Sequence, residues 1–320
     1  MEAQRRAHLA GARKQAGMAL AAGAALGLLF ALFGSGSNDW QGALLGFALP
    51  TVFGAVAGFL LWKRQERAWS GSVAEAVMPV VCDFLGGIEY DHDAHKGFPL
   101  ERMRKLGVVR SFTRSEISDR LEGEWRNTPF EIVEAKLMSR NCSSSANADN
   151  HINDRSNRTL FKGLLLHIGV PEPIPTRILI ARDYGVGNKL GELLGGSSGR
   201  GMPKVDTAHP EFERHFEVYS ADPETARGVL APGFLDSLLH IAESEGGRHG
   251  TAGLEAGFHE GSFFMALKRD EDFLAMGSLT TPMDGIEEDL HRVFADIALV
   301  RRIIDQLHGE PSAAREVQAT

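Results

Sequence analysis

Two stretches of the chain lack any charged residue, residues 16–37 and residues 41–62. Each is close to the ~20 residues that cross a hydrocarbon core of ~30 Å. Neither has a polar face, as a helix lying on a soluble core would. A signal peptide would account for the first run, since Arg13 and Lys14 precede it, but it would not account for the second run so soon afterwards. The pattern predicts two membrane-spanning helices. Small residues recur at GxxxG spacing in both, at Gly23/Gly27, Gly42/Gly46 and Gly54/Gly58. That spacing fits close packing within the hairpin and, as the alternative, a dimer seam. Pro50 predicts a kink in the second helix, and Trp40 and Trp62 stand at its ends as interfacial indoles do.

Beyond residue 63 the pattern becomes that of a globular chain. Residues 64–85 read as a helix ending at Gly86–Gly87, followed by a polar loop YDHDAHKGFP and a short basic helix LERMRKLG from about Pro99. RLEGEW and FEIVEAKLM flank RNTP and predict a hairpin, as do LEAGF and SFFMALKR around HEG. LFKGLLLHIGV, TRILIARD and HFEVYS read as further extended segments. The tract SRNCSSSANADNHINDRSNR predicts a disordered excursion, and YGVGNKLGELLGGSSGRGMP a glycine-rich loop. Asp222 and Pro223 have the chemistry of an N-cap and first helical residue, and Pro232 opens the next helix. The last helix begins at a capping-box-like Asp284/Glu287 pair and carries Ile286, Leu290, Val293, Ile297, Val300, Ile304 and Leu307 as one stripe, stopped by Gly309 and Pro311. The stripe predicts a face packed on a sheet; a homo-oligomeric coiled-coil seam is the alternative.

Hairpins with helices set apart give the fold class: an N-terminal transmembrane helical hairpin followed by an α+β cytoplasmic domain, with a mainly antiparallel sheet and a long C-terminal amphipathic helix. The expected divisions are a basic leader (1–15), two transmembrane helices (16–62), a juxtamembrane helical segment (63–110), the α+β domain (111–308) and a disordered tail (309–320).

Charge sharpens this picture. The 320 residues hold 34 Lys+Arg against 42 Asp+Glu, a net charge of −8, which argues against a general nucleic-acid binder. Residues 1–69 alone carry +4, from Arg5, Arg6, Arg13, Lys14, Lys63, Arg64 and Arg67 against Glu2, Asp39 and Glu66. The basic groups lie outside both spans and the link holds none, so the positive-inside rule places both termini of this multi-pass chain in the cytoplasm. The lipid bilayer is the expected partner, with a protein partner unidentified and a homo-oligomer possible. The spans hold no ionisable group for a proton or ion path. Two distant cysteines, Cys82 in an apolar run and Cys142 in a polar one, fit a reducing compartment and no disulfide.

The chemistry-bearing motifs are weak. Gly185-Val186-Gly187-Asn188-Lys189-Leu190-Gly191 is GxGxxxG, lacks a βαβ setting, and reads as a flexible connection. Asp91, His92, Asp93 and His95 crowd four potential ligands into a loop, where no rigid frame makes them converge. His259-Glu260 reads as a turn. Phe216, Val218, Tyr219 and Asp222 read as a strand and its helix cap, and Arg227 as one half of a buried ion pair. No catalytic residue, cofactor or metal site is assigned.

Phe161-Lys162-Gly163-Leu164 and the stretch FERHFEVYSADPETARGVLAP (212–232) resemble the signature of a bacterial membrane-associated family, domain of unknown function 3137. The resemblance implies two hydrophobic segments near the N terminus and a cytoplasmic α+β region after them, and carries no known reaction. The expected function is a membrane-anchored scaffold or partner-binding module. The alternative is a membrane-bound enzyme acting on lipid or envelope precursors.

Overall fold

A computed structural model describes residues 1–33, 40–92, 97–140, 157–170, 173–182, 201–270, 272–274, 276–280 and 286–308. The chain divides into two compact units, one of Met1–Met78 with Ala275–Arg292 and one of Pro79–Leu274 with Val293–Thr320.

In the first unit, α1 (Glu2–Phe33) and α2 (Trp40–Leu85) pair as a hairpin. A Cβ on Gly23 would lie 2.6 Å from the Pro50 carbonyl oxygen, and on Gly27 2.5 Å from that of Phe47. In return, a Cβ on Gly54 would lie 2.7 Å from the Ala19 carbonyl oxygen, and on Gly58 2.9 Å from that of Ala16. Gly23, Gly27, Gly54 and Gly58 are thus used within the hairpin, where only a missing side chain allows the backbones so close. The outer faces stay bare: Leu32 is 69% exposed and Phe53 75%. Only 11% of each apolar window is buried, which is unlike a soluble core helix. At 46 residues α2 is about 70 Å long, so the expected span and juxtamembrane helix are one helix running through Pro50. Near the other end of the hairpin, Trp69, Val73 and Met78 are buried. There Arg5 Nη1 donates to the Leu279 carbonyl at 2.9 Å, and Gly277, at φ +71, lies where a Cβ would press within 2.9 Å of Val73 Cγ2.

The second unit is built on one nine-stranded sheet: β1 (Ile88–Asp91), β2 (Arg114–Trp125), β3 (Thr128–Arg140), β4 (Asn157–Gly169), β5 (Ile178–Arg182), β6 (Lys204–Val205), β7 (Phe216–Ser220), β8 (Leu254–His259) and β9 (Ser262–Lys268), in the order β1-β2-β3-β4-β9-β8-β5-β7-β6. Every pairing is antiparallel. The short edge strand β1 corrects the sequence reading, which placed Tyr90 and Asp91 in a loop. Likewise β3 and β4 extend into the ends of the polar tract, whose middle lies outside the described residues. The two expected hairpins are present, with Arg126–Asn127 and Glu260–Gly261 at positive φ in their turns.

Both faces of the sheet centre are covered, so β9 is buried through six consecutive residues. On one face α3 (Leu100–Leu106) inserts Met103 and Leu106 against Val133, Ala135, Leu165 and Phe264. Gly107, in the left-handed conformation, ends that helix. Two further helices, α4 (Pro210–Glu213) and α5 (Pro223–Val229), flank β7. On the opposite face α6 (Pro232–Glu245) sets Phe234 5.8 Å from the rings of both Phe258 and Phe263. The last helix, α7 (Ile286–Leu307), buries Val293, Ile297, Val300 and Ile304. That part of the stripe is covered within the chain, while Ile286, Leu290 and Leu307 are half-buried. His291 and Arg292 are exposed. The Asp284 cap position and the 309–320 tail lie outside the described residues.

One half-buried acid makes a pH prediction. Glu134 accepts from the Phe273 amide at 2.9 Å, yet burial first, then Asp272, push its carboxyl from 4.5 up to about 7. Below the unfolded value both states are protonated. As pH rises from there to about 7, the unfolded state loses its proton while the folded state keeps it, so stability falls by on the order of 3 kcal/mol. Glu134→Gln is expected to flatten this slope; denaturant titrations at pH 5 and pH 8 check it. An equal loss in both proteins would refute the assignment.

A candidate cleft on the sheet face

The residues singled out by sequence are dispersed. Tyr90 Oη donates to Asp119 Oδ1 at 2.6 Å, and His92 Nδ1 lies 2.8 Å from the same oxygen. Asp93 and His95 lie outside the described residues, as do Gly185–Gly191 with Lys189, and Cys142. No three His, Cys, Asp or Glu side chains are placed to hold a metal among the described residues. Cys82 is buried. His259 ends β8 and Glu260 occupies the turn at φ +48. Phe216, Val218 and Tyr219 are buried in β7, and Asp222 caps α5 by accepting from Glu224 and Thr225 amides. These bonds, the Thr225 hydroxyl foremost, hold its carboxyl below the usual range. Arg227 corrects the expectation of a buried pair. It is 44% exposed, bonded to Glu224 one turn back and to the Asp206 carbonyl, because α5 is too short and too peripheral to bury it.

The polar convergence lies elsewhere, in an open cleft of about 760 Å³ over the ends of β1–β4 and the β8–β9 turn. Gly87, Gly123, Gly169 and Gly261 leave gaps in its floor. At Gly123 a Cβ would sit 2.4 Å from the Gly87 carbonyl. Strand register carries one row of side chains across this floor: Glu89 opposite Glu122, Glu122 opposite Glu131, Glu131 opposite His167, and His167 opposite Phe264. Like charges directly opposite repel, and Arg120 offsets this. It pairs with Glu122, and its Nε lies 2.9 Å from Glu131 Oε1, at an angle that makes this an ion contact rather than a directed hydrogen bond.

At the apolar end His167 stacks on Phe264, centroids 5.1 Å apart and planes within 11°. Its Nε2 is 3.1 Å from Ser262 Oγ, and its Nδ1 3.6 Å from Glu131 Oε2. From α3, Arg102 Nη2 donates to Ser262 Oγ at 3.2 Å and to the Glu260 carbonyl at 3.0 Å, with the guanidinium 5.1 Å above the Phe264 ring. Arg102 thereby staples α3 to the β8–β9 turn while pointing positive charge at a serine hydroxyl. Sequence reading missed Glu131, His167, Ser262 and Arg102. The local signal was a lone histidine within an otherwise apolar run, LLLHIG.

No curated protein matches this chain. A solved structure, the mycobacterial trehalose monomycolate transport factor A, TtfA, aligns at 11% identity with a TM-score of 0.29, over 74% of this chain and 93% of that one; so low a score carries no argument. Residues 159–308 match the family described as "Protein of unknown function (DUF3137)". This segment, which runs from β4 through α7 and includes His167 and Ser262, belongs to the DUF3137 family.

Proposed function

We propose that this chain is a membrane-anchored module that holds its sheet domain, and the acidic cleft on it, against the cytoplasmic side of a bacterial inner membrane, where the cleft docks a partner. The observation that carries the reading is the hairpin: glycines bring its two helices together while its outer apolar surface is left to a bilayer. Basic residues flank both runs on the side opposite the link, which supports cytoplasmic termini.

Membranes carrying the full chain are expected to retain it through an alkaline wash. A reporter active only outside the cytoplasm is expected to give signal when fused at residue 38 and none after residue 70. Release by the wash, or signal from the second fusion alone, would overturn the reading. For docking, a photocrosslinking residue at position 124, on the cleft rim, is expected to capture one protein in stoichiometric yield, and capture of none would refute it.

A further inference from the structure

We propose that Ser262, His167 and Glu131 form a nucleophilic site that cleaves carboxylic esters, an activity beyond docking. Three strands bring the groups together: β9 gives the hydroxyl, β4 the imidazole and β3 the carboxylate, at 3.1 and 3.6 Å. The three side chains line the cleft, with Ser262 5% exposed at its base. Hydroxyl, base and orienting carboxylate in this sequence are what activation of a serine requires, and such contacts are often long before substrate binds.

The surrounding groups fit the same assignment. Arg102 already donates to Oγ, so the hydroxyl proton is directed at Nε2 and the guanidinium stands ready for the negative charge that develops on attack. With Nε2 accepting, the proton on the ring sits on Nδ1, facing Glu131, whose Oε1 is in ion contact with Arg120 Nε at 2.9 Å. Phe264 fixes the imidazole plane from below.

The step balances with water as the second reactant. Oγ forms a bond to the acyl carbon as its proton passes to Nε2. The ester C–O bond breaks and the alcohol leaves with that proton. Water then attacks the acyl carbon, giving its proton to Nε2; the C–Oγ bond breaks and the proton returns to Oγ, releasing the acid. Glu89, Glu122 and Glu124 crowd the rest of the cleft and disfavour anionic esters, so the substrate class is a carboxylic ester of an uncharged or cationic alcohol.

The test uses the full chain in detergent micelles, treated with an uncharged alkyl fluorophosphonate and mapped by mass spectrometry, alongside hydrolysis of p-nitrophenyl butyrate. An adduct on Ser262 is expected, forming at least tenfold more slowly in His167→Gln, with ester turnover lost in Ser262→Ala. Glu131 is a positioning residue. The charged groups about His167 are Glu131 from β3, Arg102 from α3, and Glu122 and Arg120 from β2. Glu131→Gln is therefore expected to shift the pH profile of adduct formation, and Glu131→Asp to restore part of the rate. If His167→Gln does not fold, the wild-type profile decides: a rate rising with deprotonation of a histidine supports the site, and a flat rate overturns it. A folded wild-type protein that leaves Ser262 unmodified also overturns it, whatever the docking experiment gives.

Discussion

Gly163→Ala is expected to lower the stability of the sheet unit by about 4 kcal/mol or more, at the upper end of single-substitution effects. Gly163 holds φ +147, and a Cβ there would lie 2.1 Å from the Leu267 carbonyl oxygen and 2.6 Å from the Arg269 amide. Those atoms are backbone and cannot rotate away. Strain of the dihedral alone costs about 1–3 kcal/mol; the collision adds separation of β4 from β9. That junction joins β1–β4 to the other five strands, so the damage falls where the sheet is least able to lose a pairing. Denaturant unfolding of the full chain in detergent checks this, and a loss under 1 kcal/mol would contradict the geometry. The position also gives a physical reason for the glycine in Phe161-Lys162-Gly163-Leu164.

Arg269→Ala should cost about 3–5 kcal/mol, the range found when one member of a buried ion pair is removed. Asp296 on α7 is 7% exposed at its side chain and pairs with Arg269, which follows β9. Burial raises the Asp296 carboxyl even with the arginine present, so without it only the Leu274 amide is left to compensate the charge. The loss should grow as pH rises above the ordinary carboxylate range, because the unfolded state then ionises where the folded state resists. Replacing both residues with leucine is expected to recover most of the loss, since an apolar pair leaves no charge stranded. A double variant no better than Arg269→Ala would mean the residues act separately.

What was legible in the sequence depended on how local its cause was. The apolar runs, the two hairpins, the Asp222 cap and the C-terminal stripe each declare themselves within a few residues, and each is present in the structure. β1 was hidden because the alternation of Ile88-Glu89-Tyr90-Asp91 runs for only four residues, between a glycine pair and a polar loop. The cleft was hidden for a stronger reason. Glu131 meets His167 only through the β3–β4 register, and Ser262 reaches them through the β4–β9 register from 95 residues further along. Periodicity says which face a side chain takes, but it does not say which strand lies beside it. Arg227 failed differently: its charge partner was local, Glu224, so nothing drew it inward.

The interleaving of the two units changes how the protein can be cut. The polypeptide leaves the sheet unit after Leu274 and returns to it at Val293. The intervening stretch holds Leu279, fully buried, and Met276, 2% exposed, in the unit that contains Arg5 and Trp69. A soluble fragment starting at residue 70 would keep that stretch while deleting the side chains that shelter it. It would carry a newly bared apolar strip inside its own sequence, and aggregation or indiscriminate sticking of the fragment would then report on the missing cover instead of on any partner. Dissection of this protein belongs at the level of single side chains in the intact chain.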